Sequence, residues 1–246
     1  MHDPHGERHF QGRSLPIVWI VVKGKKGHLP EILHVELVNQ LKPLIPDGRQ
    51  VVFLGDGEFD GIDLQETVNE FGWKYVCRTG INIKMIWNGA EISCGEALPH
   101  IKPDYYMDFD NILFTNAKYG PGRVICYWRP GCENPIFLVT NMKSVEEACA
   151  LYSLRFRIET FFSDQKSRGF NLHKSHISDP ERLSRLLIAA CLAYIWIIFL
   201  GVTAKGKWVG IIHRTTRCDL SLFQLGLRLL DHFMNEGKRI PVAFQV

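Results

Sequence analysis

Apolar positions along the chain change texture three times. Leu15 to Val22 (LPIVWIVV) and Val51 to Leu54 (VVFL) are nearly continuous apolar runs, the pattern of strands covered on both faces. Between them Pro30 suits the first turn of a helix running to about Leu44, with Ile32, Leu33, Val35, Leu37, Val38 and Leu41 as its apolar positions. Asp63 to Phe71 predicts a second helix and Trp73 to Arg78 (WKYVCR) a third strand. Strand, helix, strand, helix, strand implies an α/β core with parallel strands.

From about Asn82 to Asn141 short alternating runs (NIKMIW, YYMDF, ILFTN, RVICYW, IFLVT) are separated by Gly, Pro and Asn, as in an all-β insertion. Helical periodicity returns at Val145 to about Arg168, at Pro180 to Leu200 and at Ser221 to Asn235. Residues 1–12 (MHDPHGERHFQG) read as a disordered polar tail, so His2, His5 and His9 are solvated rather than metal ligands.

Composition narrows the class. A chain of 246 residues with 46% hydrophobic content can bury one large core or two small ones. A net charge of +3 neither demands nor excludes nucleic acid. Lys205, Lys207, Arg214 and Arg217, with His213 and no acid among them, form either a solvated face or a phosphate contact. Seven cysteines without a C-x-x-C pair argue against a disulfide framework or structural zinc and fit a reducing cytoplasm. The N-terminus carries no basic-then-apolar signal pattern. Leu186 to Thr203 is eighteen residues without a charge, the lower limit for a membrane span. Dilution by Ala, Cys, Tyr and Gly favours a buried helix, with no membrane partner.

Two carboxylates stand out. Asp56, in FLGDGEFDG, follows a buried strand directly, where α/β sheets place ligands and metals; the alternative is a turn aspartate satisfying local amides. An EF-hand is excluded, because the twelfth loop position is Thr67. Glu159 shares a helix with Tyr152, Arg155 and Lys166. At about 100° per residue the four fall within an arc of roughly 60°, with Leu154, Ile158 and Phe161 on another face. Glu159 between two cations is either a surface ion pair or, with Asp56, a holder of divalent cations that activate water. Arg155 and Lys166 would then clamp phosphate oxygens, with Tyr152 donating to phosphate or contacting a base.

The spacing Y-x2-R-x3-E-x6-K from Tyr152 to Lys166, followed by SRGFNL, resembles the signature of DDE transposases of the insertion-sequence-four group. RSLPIVWIVVKGKKGHLPE, VVFLGDGEFDG, GWKYVCRTG and HRTTRCDLSLFQLGLRLL extend the resemblance over roughly Arg13 to Leu230. It implies a ribonuclease-H-like core (13–81 and 142–200) interrupted by the β-rich insertion (82–141) and followed by a basic helical extension (201–246). Two Mg2+ or Mn2+ ions on three acids would cut transposon ends, and the freed 3′-hydroxyl would attack target DNA. By similarity Asp56 is the second acid, Glu159 the third, and Tyr152, Arg155 and Lys166 hold the terminal DNA phosphate. Trp128 is a candidate for stacking on a flipped base, a structural aromatic being the favoured reading.

The chain departs from this pattern at the first acid. The family's first catalytic aspartate belongs about twenty residues before Arg13, and Asp3 sits in polar sequence beside Pro4. The N-terminal DNA-binding helices of such enzymes are missing too. The expectation is therefore a C-terminal transposase fragment with two of three metal ligands, catalytically impaired. The alternatives are a DNA-end-binding module that inhibits, by self-association or by pairing with full-length transposase, and a remnant without function.

Overall fold

The computed structural model describes residues 12–24, 29–213 and 219–242. The expected disordered tail (all but Gly12), His2, His5, His9, Arg214 and Arg217 lie outside them. The chain divides into two compact units, one of residues 25–155 and one combining 1–24 with 156–246.

The first unit is built on a seven-stranded sheet. In chain order it holds α1 (Glu31–Leu41), a 3-10 turn (Lys42–Leu44), β1 (Val52–Gly55), α2 (Ile62–Glu70), β2 (Lys74–Thr79), β3 (Lys84–Trp87) and β4 (Ala90–Ser93). A 3-10 segment (Cys94–His100), β5 (Tyr106–Phe114), β6 (Tyr119–Tyr127), β7 (Ile136–Thr140) and α3 (Val145–Ser153) follow. The sheet order is β1-β2-β7-β6-β5-β3-β4. Only β1 and β2 run parallel, from Val52 opposite Lys74 to Gly55 opposite Cys77; every other pairing is antiparallel. The β-rich stretch therefore does not form a sheet of its own, because β7 pairs directly with β2.

Alternation along the central strands fills both faces. Tyr75 and Cys77 of β2, Val124 and Cys126 of β6, and Phe137 and Val139 of β7 join Val38 of α1 and Leu64 and Val68 of α2 in one core. The residues between them, Val76, Ile125 and Leu138, join Ala148, Cys149 and Tyr152 of α3 in another. Helices thus cover both sides of a mixed sheet, an α/β architecture consistent with a ribonuclease-H-like fold. The first turn of α2 is capped from α1, as Leu64 N–H donates to Glu31 Oε1 at 3.1 Å. The connection from β1 to α2 is stapled to the end of β2: Thr79 Oγ1 donates to Asp60 Oδ2 at 2.6 Å, and Gln65 Nε2 to the Asp60 carbonyl at 2.7 Å.

The second unit is helical: α4 (Arg157–Gln165), a 3-10 turn (Leu172–Ser175), α5 (Pro180–Lys207), α6 (Val209–Ile212) and α7 (Leu222–Asn235). Asp179 caps α5 by accepting from Arg182 N–H at 2.8 Å, with Pro180 in its first turn. Ser221 and Gln224 form a capping box on α7. Helices α5 and α7 cross where both lack side chains: a Cβ on Gly201 would lie 1.9 Å from the Leu222 carbonyl oxygen, and one on Gly226 1.9 Å from that of Ile197. Helix α5 is long and apolar enough to cross a membrane by length and composition. Its C-terminal half, including Tyr194, Ile197, Ile198, Leu200 and Ala204, is buried in the helical core. Toward its start Ile188 and Leu192 are about half exposed.

Two expected elements differ. Residues 15–22 form no strand. A strand exists only through a neighbour's ladder, and no backbone–backbone hydrogen bond between described residues involves 13–24; Leu15 and Trp19 instead pack on the helical core. The helix expected over 145–168 is broken by a 3-10 turn at Leu154–Phe156. Its N-terminal half serves the sheet core through Tyr152 and its C-terminal half the helical core through Phe161, while Ile158, expected on the buried face, is 41% exposed. Cys77, Cys94, Cys126, Cys149 and Cys191 are buried free thiols, and Cys132 is an exposed one. Burial pushes the thiols of Cys94, Cys126 and Cys149 up to about 12.

Gly226→Ala should lower stability by about 1–3 kcal/mol, because the added methyl meets backbone. A urea midpoint unchanged from wild type would contradict the crossing. Thr79→Val should cost about 1–3 kcal/mol by removing a donor to the part-buried Asp60 carboxylate; limited proteolysis should then cut the 56–61 connection faster.

Candidate active site

The site is built from the end of β1. Gly55 closes the strand where a Cβ would lie 2.4 Å from Phe59 Cβ and 2.9 Å from Cys77 Sγ, so a side chain there would displace the following turn. Asp56 begins that turn. Its carbonyl accepts from Phe59 N–H at 3.0 Å and its Oδ1 from Glu58 N–H at 3.2 Å, so the turn is closed by one local amide and the carboxylate oriented by another. Its side chain stays 47% exposed.

Arg155 reaches Asp56 from the turn after α3. Its Nη1 lies 3.7 Å from Asp56 Oδ2, with the arginine side chain 15% exposed. The guanidinium also sits 5.8 Å from the centre of the Tyr152 ring, within cation–π range. Tyr152 is buried. Burial pushes its phenol up, Arg155 and Arg78 oppose that, and Asp56 adds to it. The net shift is upward, so Tyr152 remains a neutral donor at ordinary pH. The structure thus brings Asp56, Tyr152 and Arg155 together within the sheet unit, and buries the tyrosine that was expected to face phosphate.

Sequence reasoning passed over Arg78 and Thr79. They line a cavity of about 400 Å³ with Gly57, Gly80, Ile136 and Phe137, next to Asp56 in the chain and at the carboxyl end of β2. The signal was their place at the end of a buried strand, where α/β folds bind ligands.

Glu159 and Lys166 belong to the helical unit. Glu159 is exposed in the first turn of α4, where a carboxylate is favoured by the helix dipole. Lys166 is exposed at the C-cap with its ammonium 5.9 Å from the Phe162 ring centre. The helix expected to carry all four residues is interrupted at Leu154–Phe156, which leaves Tyr152 and Arg155 with one unit and Glu159 and Lys166 with the other.

Trp128 directly follows β6. Its indole N–H donates to the Cys132 carbonyl at 2.9 Å, its backbone pairs with Asp104 and Tyr105, and its ring packs on the sheet core. Lys205 and Lys207 are exposed in the last turn of α5, whereas His213 lies 3.1 Å from Asp219. Among the described residues no group of three or more His, Cys, Asp and Glu side chains gathers as a metal shell.

No curated protein matches the chain. The family model for the transposase DDE domain matches residues 10–196, a span that contains Asp56, Tyr152, Arg155, Glu159 and Lys166. The strand-end carboxylate, the α/β fold and this match agree, and the chain belongs to the DDE transposase family.

Proposed function

We propose that this chain is a cytoplasmic transposase of the insertion-sequence-four group that grips transposon-end DNA and, by itself, cuts it poorly. The observation that carries the reading is Arg155 beside Asp56 at 3.7 Å: a strand-end carboxylate with a partly buried guanidinium at its side. Arginine presents a fork of donors suited to phosphate oxygens. Arg155 would hold the terminal phosphate against the Asp56 turn, steadied by the Tyr152 ring, and Lys166 would add a second cation.

DDE transposase domains generally use divalent metal ions. Asp56 and Glu159, as the second and third acids, offer hard oxygen donors of the kind Mg2+ or Mn2+ takes. They fit such an ion in kind. A DNA-end-binding or transposase-pairing inhibitor is the second reading. The hydrogen bond and packing of Trp128 support the structural role over base stacking.

Binding to a duplex carrying the element's own terminal sequence should weaken as salt rises. Arg155→Ala and Lys166→Ala should each weaken it about fivefold to tenfold and reduce the salt slope by about one. Equal affinity for every duplex would remove end recognition. With Mg2+ or Mn2+ the same duplex should stay intact. Robust cleavage that disappears in Asp56→Ala and Glu159→Ala would replace the impaired reading with an active enzyme, whereas end binding without cleavage supports the inhibitor.

A further inference from the structure

Residues 15–22 are apolar yet unladdered, and what fixes the 13–22 segment is side chains. Arg13 Nη1 lies 2.6 Å from Asp164 Oδ2, with the two side chains 8% and 5% exposed. Trp19 Nε1 donates to Ser184 Oγ of α5 at 3.2 Å, and Leu15 and Trp19 pack on the helical core. One segment is thus riveted to α4 at one point and to α5 at another. We propose that it is a strap, and that Arg13 and Asp164 are positioning residues that set the end of α4 and, through it, Lys166. The proposal rests on the reading of Lys166 as a phosphate-binding group.

The turn that carries Lys166 folds back onto Asp164. Phe170 N–H donates to the Asp164 carbonyl at 3.0 Å, and Asn171 N–H to the Lys166 carbonyl at 2.8 Å. A Cβ on Gly169 would lie 2.3 Å from that Asp164 oxygen, so the return is close. Asp164 therefore holds the turn with its backbone and the strap with its carboxylate. The ion pair is a poor device for stability alone. Burial pushes the Asp164 carboxyl up and Arg13 pulls it down, with a net rise. A buried pair of this kind is commonly replaceable by apolar residues without loss of stability. What apolar replacements lack is the fixed direction of a charge-assisted hydrogen bond.

The test separates placement from stability in the full chain. Arg13→Met and Asp164→Asn alone should lower the thermal midpoint, each removing one partner of a buried pair. The double variant Arg13→Met/Asp164→Leu should regain the wild-type midpoint, yet bind the terminal duplex about fivefold more weakly. Its Phe170 and Asn171 amides should exchange hydrogen faster, and adding Lys166→Ala should weaken binding no further. A double variant with wild-type binding and exchange would overturn the strap, as would a full further loss on adding Lys166→Ala. If Lys166→Ala has no effect in the otherwise wild-type chain, the phosphate role of Lys166 fails instead, and the strap's role in binding falls with it.

Discussion

The antiparallel pairing of β2 with β7 is the constraint on which the sheet unit depends. It sets Val76 against Thr140 and Thr79 against Phe137, joining the α/β half of the unit to its β-rich half. Side chains lock the register at its end. Thr140 Oγ1 donates to the Tyr75 carbonyl, Asn141 Oδ1 accepts from Tyr75 N–H at 3.0 Å, and Asn141 Nδ2 donates to the Trp73 carbonyl at 3.0 Å. From that anchor α3 starts at its Ser144 cap and runs back over the sheet face, burying Ala148, Cys149 and Tyr152. The helix ends where Arg155 meets Asp56. A slip of one residue in the pairing would turn the strand's faces over and dissolve that meeting.

Local pattern carried much of this architecture. Pro30 and the apolar spacing beyond it marked α1, VVFL marked β1 and hence the place of Asp56, and Ser221 marked the start of α7. What was not legible was non-local. LPIVWIVV has a strand's composition, but composition cannot say whether a neighbour's ladder is there. Asp164 and Arg13 are 151 residues apart, and neither has a local feature that announces the other. Arg78 read only as the end of a strand until the fold put it in the lining of a cavity that Gly57 of the Asp56 turn also lines.

The break at Leu154–Phe156 shows why a spacing motif is not a surface. Residues 145–168 carry helical periodicity throughout, yet their apolar side chains answer to two cores. Tyr152 and Arg155 fold with the sheet, and Glu159 and Lys166 with the helices. The Y-x2-R-x3-E-x6-K spacing spans that junction along the chain. Which of its members share a site is decided by packing on either side of that junction.

The distribution of thiols gives the molecule a chemical asymmetry. Among the described residues five buried cysteines lie on different elements, from β2 to α5, and Cys132 stands exposed in the loop between β6 and β7. Sulfur reacts as thiolate, so groups raised as far as those of Cys94, Cys126 and Cys149 are silent toward alkylating reagents and mild oxidants while the fold holds. Among the described residues, such reagents would mark Cys132 first and the others only as their surroundings open. The order of labelling would then record which part of the chain comes apart first, with no added reporter.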